Sequence, residues 1–386
     1  MKIRKSTKSR FPLGKLPLLA IEEVLKAMDT AEKIRLALTS NKMENIVKMM
    51  KGKPKLKGEV CLSDEHVVLT ISNANEHPIK FCDTTEYFFE SGEKTLLCFW
   101  EMRKWMGPKD SDKSCSNVLN KLHQIIPCHS LSLYVDIRDL TENLETTLLA
   151  LTSELKRFNS INLHRLTDWR LSRMIMDSAD KNIESCDFEM DFPSNFHHDK
   201  AFQFSSISYE DGSWVRTEHL FSLRNSRDVT LYYHNLTPVD INFFVKYWIN
   251  SDFDMFRTME LDIFSDLFDM ETVLKDIVAL EVSRFEQTYF LIAAKFQTSR
   301  EHTVLSIRFF DSELTLHTFS PEEINTHFGL TPESFLKEYK VLRYSKKISE
   351  LERQLKRVER EKVEIEARIQ NLIDEYQNPA DEFSNH

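Results

Sequence analysis

The stretch Val229-Thr230-Leu231-Tyr232-Tyr233-His234-Asn235-Leu236-Thr237-Pro238-Val239-Asp240-Ile241-Asn242-Phe243-Phe244-Val245-Lys246-Tyr247-Trp248-Ile249-Asn250-Ser251-Asp252 carries the clearest local signals in the chain. Val229 to Tyr233 has the β-branched and aromatic content of a strand, and Asn235-Leu236 reads as a turn. Thr237 then caps a helix whose first position takes Pro238, since an N–H missing there has no intrahelical partner to lose. Ile241, Phe244, Val245 and Trp248 line one helical face. Asn250-Ser251-Asp252 ends the helix, and Met259 to Ile263 returns as a strand.

The same alternation extends upstream. Leu131 to Val135, Ile161 to His164 and Cys186 to Met190 read as strands, and further strands are expected near Phe202, Val229 and Met255. Leu144, Leu148, Leu151, Leu155 and Phe158 share one helical face, and Asp168 to Ser178 is a second helical stretch. This rhythm fits strand–helix units with parallel strands or an irregular leucine-rich-repeat-like solenoid. Shorter apolar runs at Val67–Ile71 and Thr95–Trp100 have strand content. Downstream, Thr303–Ile307 and Glu313–Leu316 flank a turn at Asp311-Ser312. Helix starts are expected at Ser320-Pro321-Glu322-Glu323 and Thr331-Pro332.

Both ends differ from this body. Residues 1–10 are a basic tail that reads as either a nuclear import signal or a solvated end. Residues 11–50 read as a small helical unit. Leu16-Pro17 opens a helix lined by Leu18, Ile21, Val24, Leu25 and Met28, and Asp29 with Glu32 offers a capping box for the next. Such a unit is too small to bury a core alone and needs a partner or a neighbouring domain. Lys51 to Gly58 reads as a linker. Its two glycines lack the spacing of a phosphate loop. At the other end, Tyr344, Leu351, Val358, Ile365 and Leu372 repeat every seven residues. Ile348, Leu355, Lys362, Ile369 and Tyr376 repeat beside them. This seam, dense in Glu, Lys and Arg, is that of a coiled coil. It would run ~50 Å at 1.5 Å per residue. It reads equally as a homodimer seam over 344–376 or as a terminal helix folded back on its own domain.

Composition narrows the functional classes. The chain of 386 residues is 41% apolar, enough for a real core, and holds 27 Phe but only seven Gly. Residues 1–57 hold 15 Lys or Arg against 5 Asp or Glu, so the net charge of −10 hides an acidic remainder near −20. That remainder argues against general nucleic-acid binding. The six cysteines form no C-x-x-C pair. They read as free thiols of a reducing compartment, cytoplasmic or nuclear. Neither a signal peptide nor a membrane span is expected. Cys115, His123, Cys128 and His129 form the best metal-like cluster, but their spacing matches no common zinc motif. With no G-x-S-x-G or H-E-x-x-H motif, no catalytic constellation stands out, and no metal or cofactor is expected.

Phe11-Pro12-Leu13, Leu16-Pro17-Leu18-Leu19-Ala20-Ile21-Glu22-Glu23-Val24-Leu25 and Lys33-Ile34-Arg35-Leu36-Ala37-Leu38-Thr39-Ser40 together resemble the F-box, in particular that of the large expanded nematode family. Asn235 to Ile249, with its Thr-Pro helix start and Lys-x-Trp end, resembles the hallmark of the type 2 F-box-associated domain, with a core at about 195–265. The resemblance implies a non-catalytic substrate-recognition subunit of a Skp-cullin-F-box ubiquitin ligase. Leu13, Leu16, Pro17, Leu18, Ile21, Val24, Leu25, Ile34 and Leu38 would contact a Skp-type adaptor, and through it a cullin. The α/β body would hold an unknown protein substrate. The expected organisation is a mixed α/β chain: a basic tail at 1–10, an all-α F-box at 11–50, a linker at 51–58, a body at 59–343, a coiled-coil helix at 344–376 and a tail at 377–386. The heptads lie outside the family pattern and motivate a rival reading, a coiled-coil scaffold without a ligase role. The Cys115–His129 cluster motivates a third, an unrecognised enzyme.

Overall fold

The computed structural model describes residues 15–50, 56–64, 67–73, 76–82, 96–98, 114–125, 128–138, 158–165, 168–179, 183–263, 268–284, 287–296, 299–323 and 335–377. The chain divides into two compact units. The first comprises the residues up to Trp214 together with Ser226–Asn235; the second comprises Val215–Asn225 and everything from Leu236 onward.

The first unit opens with α1 (Leu18–Ala27), α2 (Thr30–Thr39) and α3 (Asn41–Met49). Pro17 lies one position before α1, and Asp29 and Glu32 form the expected capping box at the start of α2. The strands are β1 (Leu56–Ser63), β2 (Val67–Asn73), β3 (Glu76–Cys82), β4 (Leu96–Cys98), β5 (Cys128–Asp136), β6 (Ser160–His164), β7 (Ser185–Glu189), β8 (Ser206–Tyr209) and β9 (Ser226–Leu231). Two longer helices, α4 (Ser114–Ile125) and α5 (Trp169–Ser178), lie between them in the chain. The sheet runs β9-β8-β7-β6-β5-β1-β2-β3-β4. From β1 through β5 to β9 every pairing is parallel, and β1-β2-β3 is an antiparallel meander.

Parallel register lines up two apolar rungs. Val60, Leu133, Ile161, Cys186, Ile207 and Val229 form one; Leu62, Val135, Leu163, Phe188, Tyr209 and Leu231 form the other. All twelve side chains are at most 1% exposed. Because strand side chains alternate between faces, the residues between the rungs point the other way. They are polar and partly exposed: Tyr134, Asn162, Asp187, Ser208 and Thr230 form one such row. The apolar face is covered in part by an aromatic cluster rather than a helix. Phe192, Phe196 and Phe202 close over Phe188, Tyr209 and Trp214, with Phe188 stacked on Tyr209 at 5.1 Å and Phe196 edge-on to Trp214 at 4.8 Å. The Tyr209 hydroxyl donates to the Ala201 carbonyl at 2.8 Å, so its buried polar atom has a partner.

The second unit contains α6 (Thr217–Leu220), α7 (Pro238–Asn250), β10 (Phe256–Asp262), α8 (Met270–Val273), β11 (Ala279–Arg284), β12 (Gln287–Ala293), β13 (Val304–Phe310), β14 (Glu313–Phe319) and α9 (Leu336–Gln377). Its sheet, β11-β12-β13-β14-β10, is antiparallel throughout. β13 and β14 meet at Asp311-Ser312, both with positive φ (51° and 64°), as a two-residue hairpin turn requires. Phe335, Tyr339 and Leu342 of the α9 end pack on Leu291, Ala293, Val304 and Phe319.

Three expectations need correction. Leu56, Lys57 and Gly58, read as linker, begin β1; a Cβ on Gly58 would lie 2.7 Å from Leu131 Cδ1, so a larger residue there would push that side chain aside. The strand expected near Phe202 begins at Ser206, because Phe202 belongs to the aromatic cover. Terminal helix α9 does not fold back: every side chain described from Leu351 to Tyr376 is exposed. The helix start expected at Ser320 shows a turn over Ser320–Glu323, closed by the Glu323 N–H on the Ser320 carbonyl at 2.9 Å; the expected helix at 144–157, the start at Thr331-Pro332, residues 1–14 and the tail at 378–386 lie outside the described residues.

The two-faced sheet sets a contrast for mutation. Phe188→Ala should lower the free energy of unfolding by about 3–5 kcal/mol. Asp187→Ala, one position away on the polar face, should stay within about 0.5 kcal/mol. Chemical denaturation of both variants measures this; equal losses would contradict the assignment of faces.

Candidate interaction surfaces

The helical start contains both core and surface positions. Ile21, Leu25 and Ile34 are 3%, 1% and 0% exposed and form its interior with Ala31, Ala37 and Val47. Leu16, Val24 and Leu38 are half-buried, Pro17 is exposed, and Leu18 and Leu19 are 60% and 77% exposed. Leu13 lies outside the described residues. Of the nine residues expected to meet a partner, three are therefore core in this structure, and their exposure would require the unit to open. Leu19, which was not among the nine, is the most exposed apolar side chain of α1. The unit is closed on one side by α4. The Glu44 carboxylate, nearly buried, lies 3.0 Å from Lys121 Nζ and 3.0 Å from Lys48 Nζ, and Lys48 also donates to Gln124 at 3.1 Å.

In the second unit, Thr237 and Asp240 form a reciprocal capping box at the start of α7, with Pro238 in its first turn. Ile241, Phe244, Val245 and Trp248 face inward as the spacing predicts. Trp248 is fully buried, and the Arg300 guanidinium lies over its ring at 4.2 Å. Arg300 Nη1 donates to the Trp248 carbonyl at 2.8 Å, and Nε lies 3.7 Å from Asp254 Oδ1. Burial lowers the Arg300 pKa, which Asp254 opposes. The Asp254 carboxylate also accepts the Glu301 and His302 N–H groups, at 2.8 and 3.1 Å, and so ties the loop after β12 to the end of α7. On the outer side of α7, Val239 and Phe243 are 65% and 56% exposed. Phe221 stacks on Tyr247 at 4.0 Å and meets Phe243 at 5.6 Å, so the outer face carries an aromatic strip.

In the first unit, the carboxyl ends of the parallel strands bring charged residues to one edge, the place where open parallel sheets take their ligands. A recess of about 420 Å³ is lined by Arg165, Glu189, Met190, Asp191, Glu210, Asp211 and Tyr233. Arg165 forks onto Asp136, with Nε to Oδ1 at 2.7 Å and Nη2 to Oδ2. This bond holds the Asp136 carboxyl below its usual 3.8. His164 Nε2 contacts Glu189. Burial raises the Glu189 pKa, with His164 opposing. Four carboxylates thus ring a recess with one guanidinium. The sequence shows each acid at the end of a strand, but only the parallel register places them side by side.

Of the metal-like cluster, the Cys115 side chain lies outside the described residues. Among the described residues no group of three or more His, Cys, Asp or Glu converges as a metal would need. Burial pushes the Cys128 and Cys61 thiols up to about 11, away from the thiolate a metal or nucleophile needs. Among the described residues, no helix is long and apolar enough to cross a membrane.

Comparison with known proteins agrees with this geometry. Residues 188–261 match the F-box associated family. That segment begins at Phe188, takes in the aromatic cover, and ends on β10 after α7. The chain is also similar to Skn-1 dependent zygotic transcript 15 protein of Caenorhabditis elegans, at 22% identity over 288 residues, covering 67% of this chain and 81% of that protein. Over that segment the chain is similar to the F-box associated family, and over a longer stretch to a nematode protein. The match begins at Phe188, near the end of β7, and ends at Leu261, where the sequence reading had a core at about 195–265.

Arg300→Ala removes the stacked cation and leaves the Trp248 carbonyl without this donor. The expected loss is about 2–4 kcal/mol in thermal or chemical unfolding. Arg300→Lys should recover only part of it, because a point charge cannot reproduce the planar stack. Full recovery by lysine would show that charge alone is needed.

Proposed function

We propose that this chain is the substrate-recognition subunit of a Skp-cullin-F-box ubiquitin ligase. The observation that carries the reading is the order of parts: a small three-helix unit over residues 18–49, then a body containing the F-box-associated match at 188–261. In this reading residues 11–50 are the F-box. Its exposed Pro17, Leu18 and Leu19, with half-buried Leu16, Val24 and Leu38, dock a Skp-type adaptor and through it a cullin. Ile21, Leu25 and Ile34 hold the shape that presents them. Such apolar anchors supply most of an interface's affinity. The body, a leucine-rich-repeat-like run of parallel strands, holds the protein substrate, and the charged strand ends and the α7 aromatic strip are its candidate contacts. Catalysis belongs to the other subunits; this chain contributes proximity. Free thiols at Cys61, Cys128 and the buried Cys186 support a reducing compartment, cytoplasmic or nuclear.

Co-purification with a Skp-type adaptor tests this. The full chain should retain the adaptor, and Pro17→Ala with Leu18→Glu should cut recovery at least about tenfold with an unchanged melting temperature, since both side chains are exposed. Failure of the wild type to capture any adaptor sinks the ligase reading. Capture untouched by the double variant moves the contact elsewhere.

A specific observation favours a second property, self-association. Leu351, Leu355, Val358, Ile365, Ile369 and Leu372 are each more than half exposed along one helix. We read residues 344–376 as a coiled-coil seam for a homodimer. Sedimentation of the full chain should give the dimer mass at tens of micromolar, and Val358→Glu with Ile365→Glu should return it to monomer. A monomeric wild type refutes the seam, and with it the rival scaffold reading.

A further inference from the structure

The apolar stripe of α9 specifies an orientation as well as a tendency to pair. In heptad terms Ile348, Leu355, Lys362, Ile369 and Tyr376 take one core position, a, and Tyr344, Leu351, Val358, Ile365 and Leu372 the other, d. Every apolar member is exposed in the single chain. The two borders of the stripe differ. The e border holds Glu352, Glu359 and Glu366, and the g border holds Lys347, Gln354, Glu361, Arg368 and Glu375. The root of the helix is fixed, since Phe335, Tyr339 and Leu342 pack on the second unit's sheet.

Those borders discriminate between the ways two copies can meet. An antiparallel pair with the seams fully overlapped, Tyr344 against Tyr376 of the second copy, sets e against e and g against g. Glu352 would then face Glu366, and Glu359 and Glu361 would each face their own counterparts; only Lys347 with Glu375 would attract. A parallel pair in register sets g of one helix against e of the next heptad in the other. Lys347 then meets Glu352, and Gln354 meets Glu359. The like-charged pair, Glu361 with Glu366, falls beside Lys362. Within one helix Lys362 Nζ already lies 3.7 Å from Glu366, and Arg357 Nε donates to Glu361 at 3.0 Å. The two Lys362 ammoniums of a parallel pair would therefore meet these carboxylates and not only each other. A lone lysine at a core position costs stability and fixes register and strand number. Ile348 with Leu351 and Ile369 with Leu372, each a β-branched residue at a with Leu at d, favour two strands.

We propose that the occupant of this seam is one second copy of the chain, running parallel and in register, with Lys362 as the residue that fixes the register. The inference rests on the self-association read above and adds its geometry. Parallel pairing roots both copies at the same end of the rod, so that two bodies work side by side. An antiparallel pair would root them at opposite ends of a seam ~50 Å long at 1.5 Å per residue.

Disulfide trapping on the full chain tests it. Tyr344→Cys and Tyr376→Cys chains, tagged to different masses, are mixed, allowed to exchange and mildly oxidised, beside the wild type, whose six cysteines set the background. Each variant should link to its own kind, and the mixed link between positions 344 and 376 should stay at background. A mixed link with loss of the self-links overturns the parallel arrangement while leaving the dimer in place. A wild type that sediments as a monomer at tens of micromolar overturns the dimer and the arrangement together. Lys362→Glu, which gathers carboxylates with no ammonium among them, should weaken association at least about tenfold. Lys362→Ile should tighten association at least about tenfold and admit species heavier than a dimer, a gain that misfolding cannot mimic. Unchanged association in both variants overturns the part given to Lys362.

Discussion

The two buried rungs of the parallel sheet constrain everything else in the first unit. Each strand from β5 to β9 contributes one residue to each rung. A one-residue slip of any strand would turn its buried pair to solvent, so burial fixes the register. Once the register is fixed, so is the position of every residue beyond the rungs. The last residues of successive strands must share one edge, and their acids must crowd there. The recess follows from the core: Glu189 and Asp136 are adjacent to it because Phe188 and Val135 are in it. The composition is explained by the same constraint. Phe192, Phe196, Phe202 and Trp214 cover the rung where a helix might have done so, and a loop can do this only with large side chains.

The second unit solves the covering problem differently. Its antiparallel sheet uses Phe335, Tyr339 and Leu342, the first turns of α9, as a lid over β12 and β14. The helix then continues far past its packing. Its surface pairs, Arg357 with Glu361 at 3.0 Å and Lys362 with Glu366 at 3.7 Å, are worth only a few tenths of a kcal/mol each. Such pairs explain the charged faces of the helix but not the apolar stripe between them.

Elements with local chemical signals were legible in the sequence. The Thr237-Pro238 start, the inward set Ile241, Phe244, Val245 and Trp248, the Asp29–Glu32 box and the Asp311-Ser312 turn each depend on residues within a few positions of one another. Features that depend on distant neighbours were not. Leu56-Lys57-Gly58 looked like linker because its outward positions are charged and its inward glycine is small; Leu131, far along the chain, is what packs over that glycine. Phe202 looked like strand because a loop that covers a core has strand-like composition.

The helical start shows how a family resemblance and a structure constrain each other. The spacing Leu18, Ile21, Val24, Leu25 is one apolar stripe by sequence, yet it divides in three dimensions, with Ile21 and Leu25 inward and Leu18 outward. One side chain cannot both close the unit's interior and anchor a partner without the unit opening. On the proposed reading the contact therefore falls to the outward subset, to which Leu19 adds the most exposed apolar surface on α1. The unit also does not need the partner to be ordered, because α4 supplies a wall through Lys121 and Gln124. A preformed surface loses less conformational freedom on docking than one that folds on contact. On the proposed reading, affinity for the adaptor then depends on how much of Pro17, Leu18 and Leu19 is buried, and not on the energy of forming the helices.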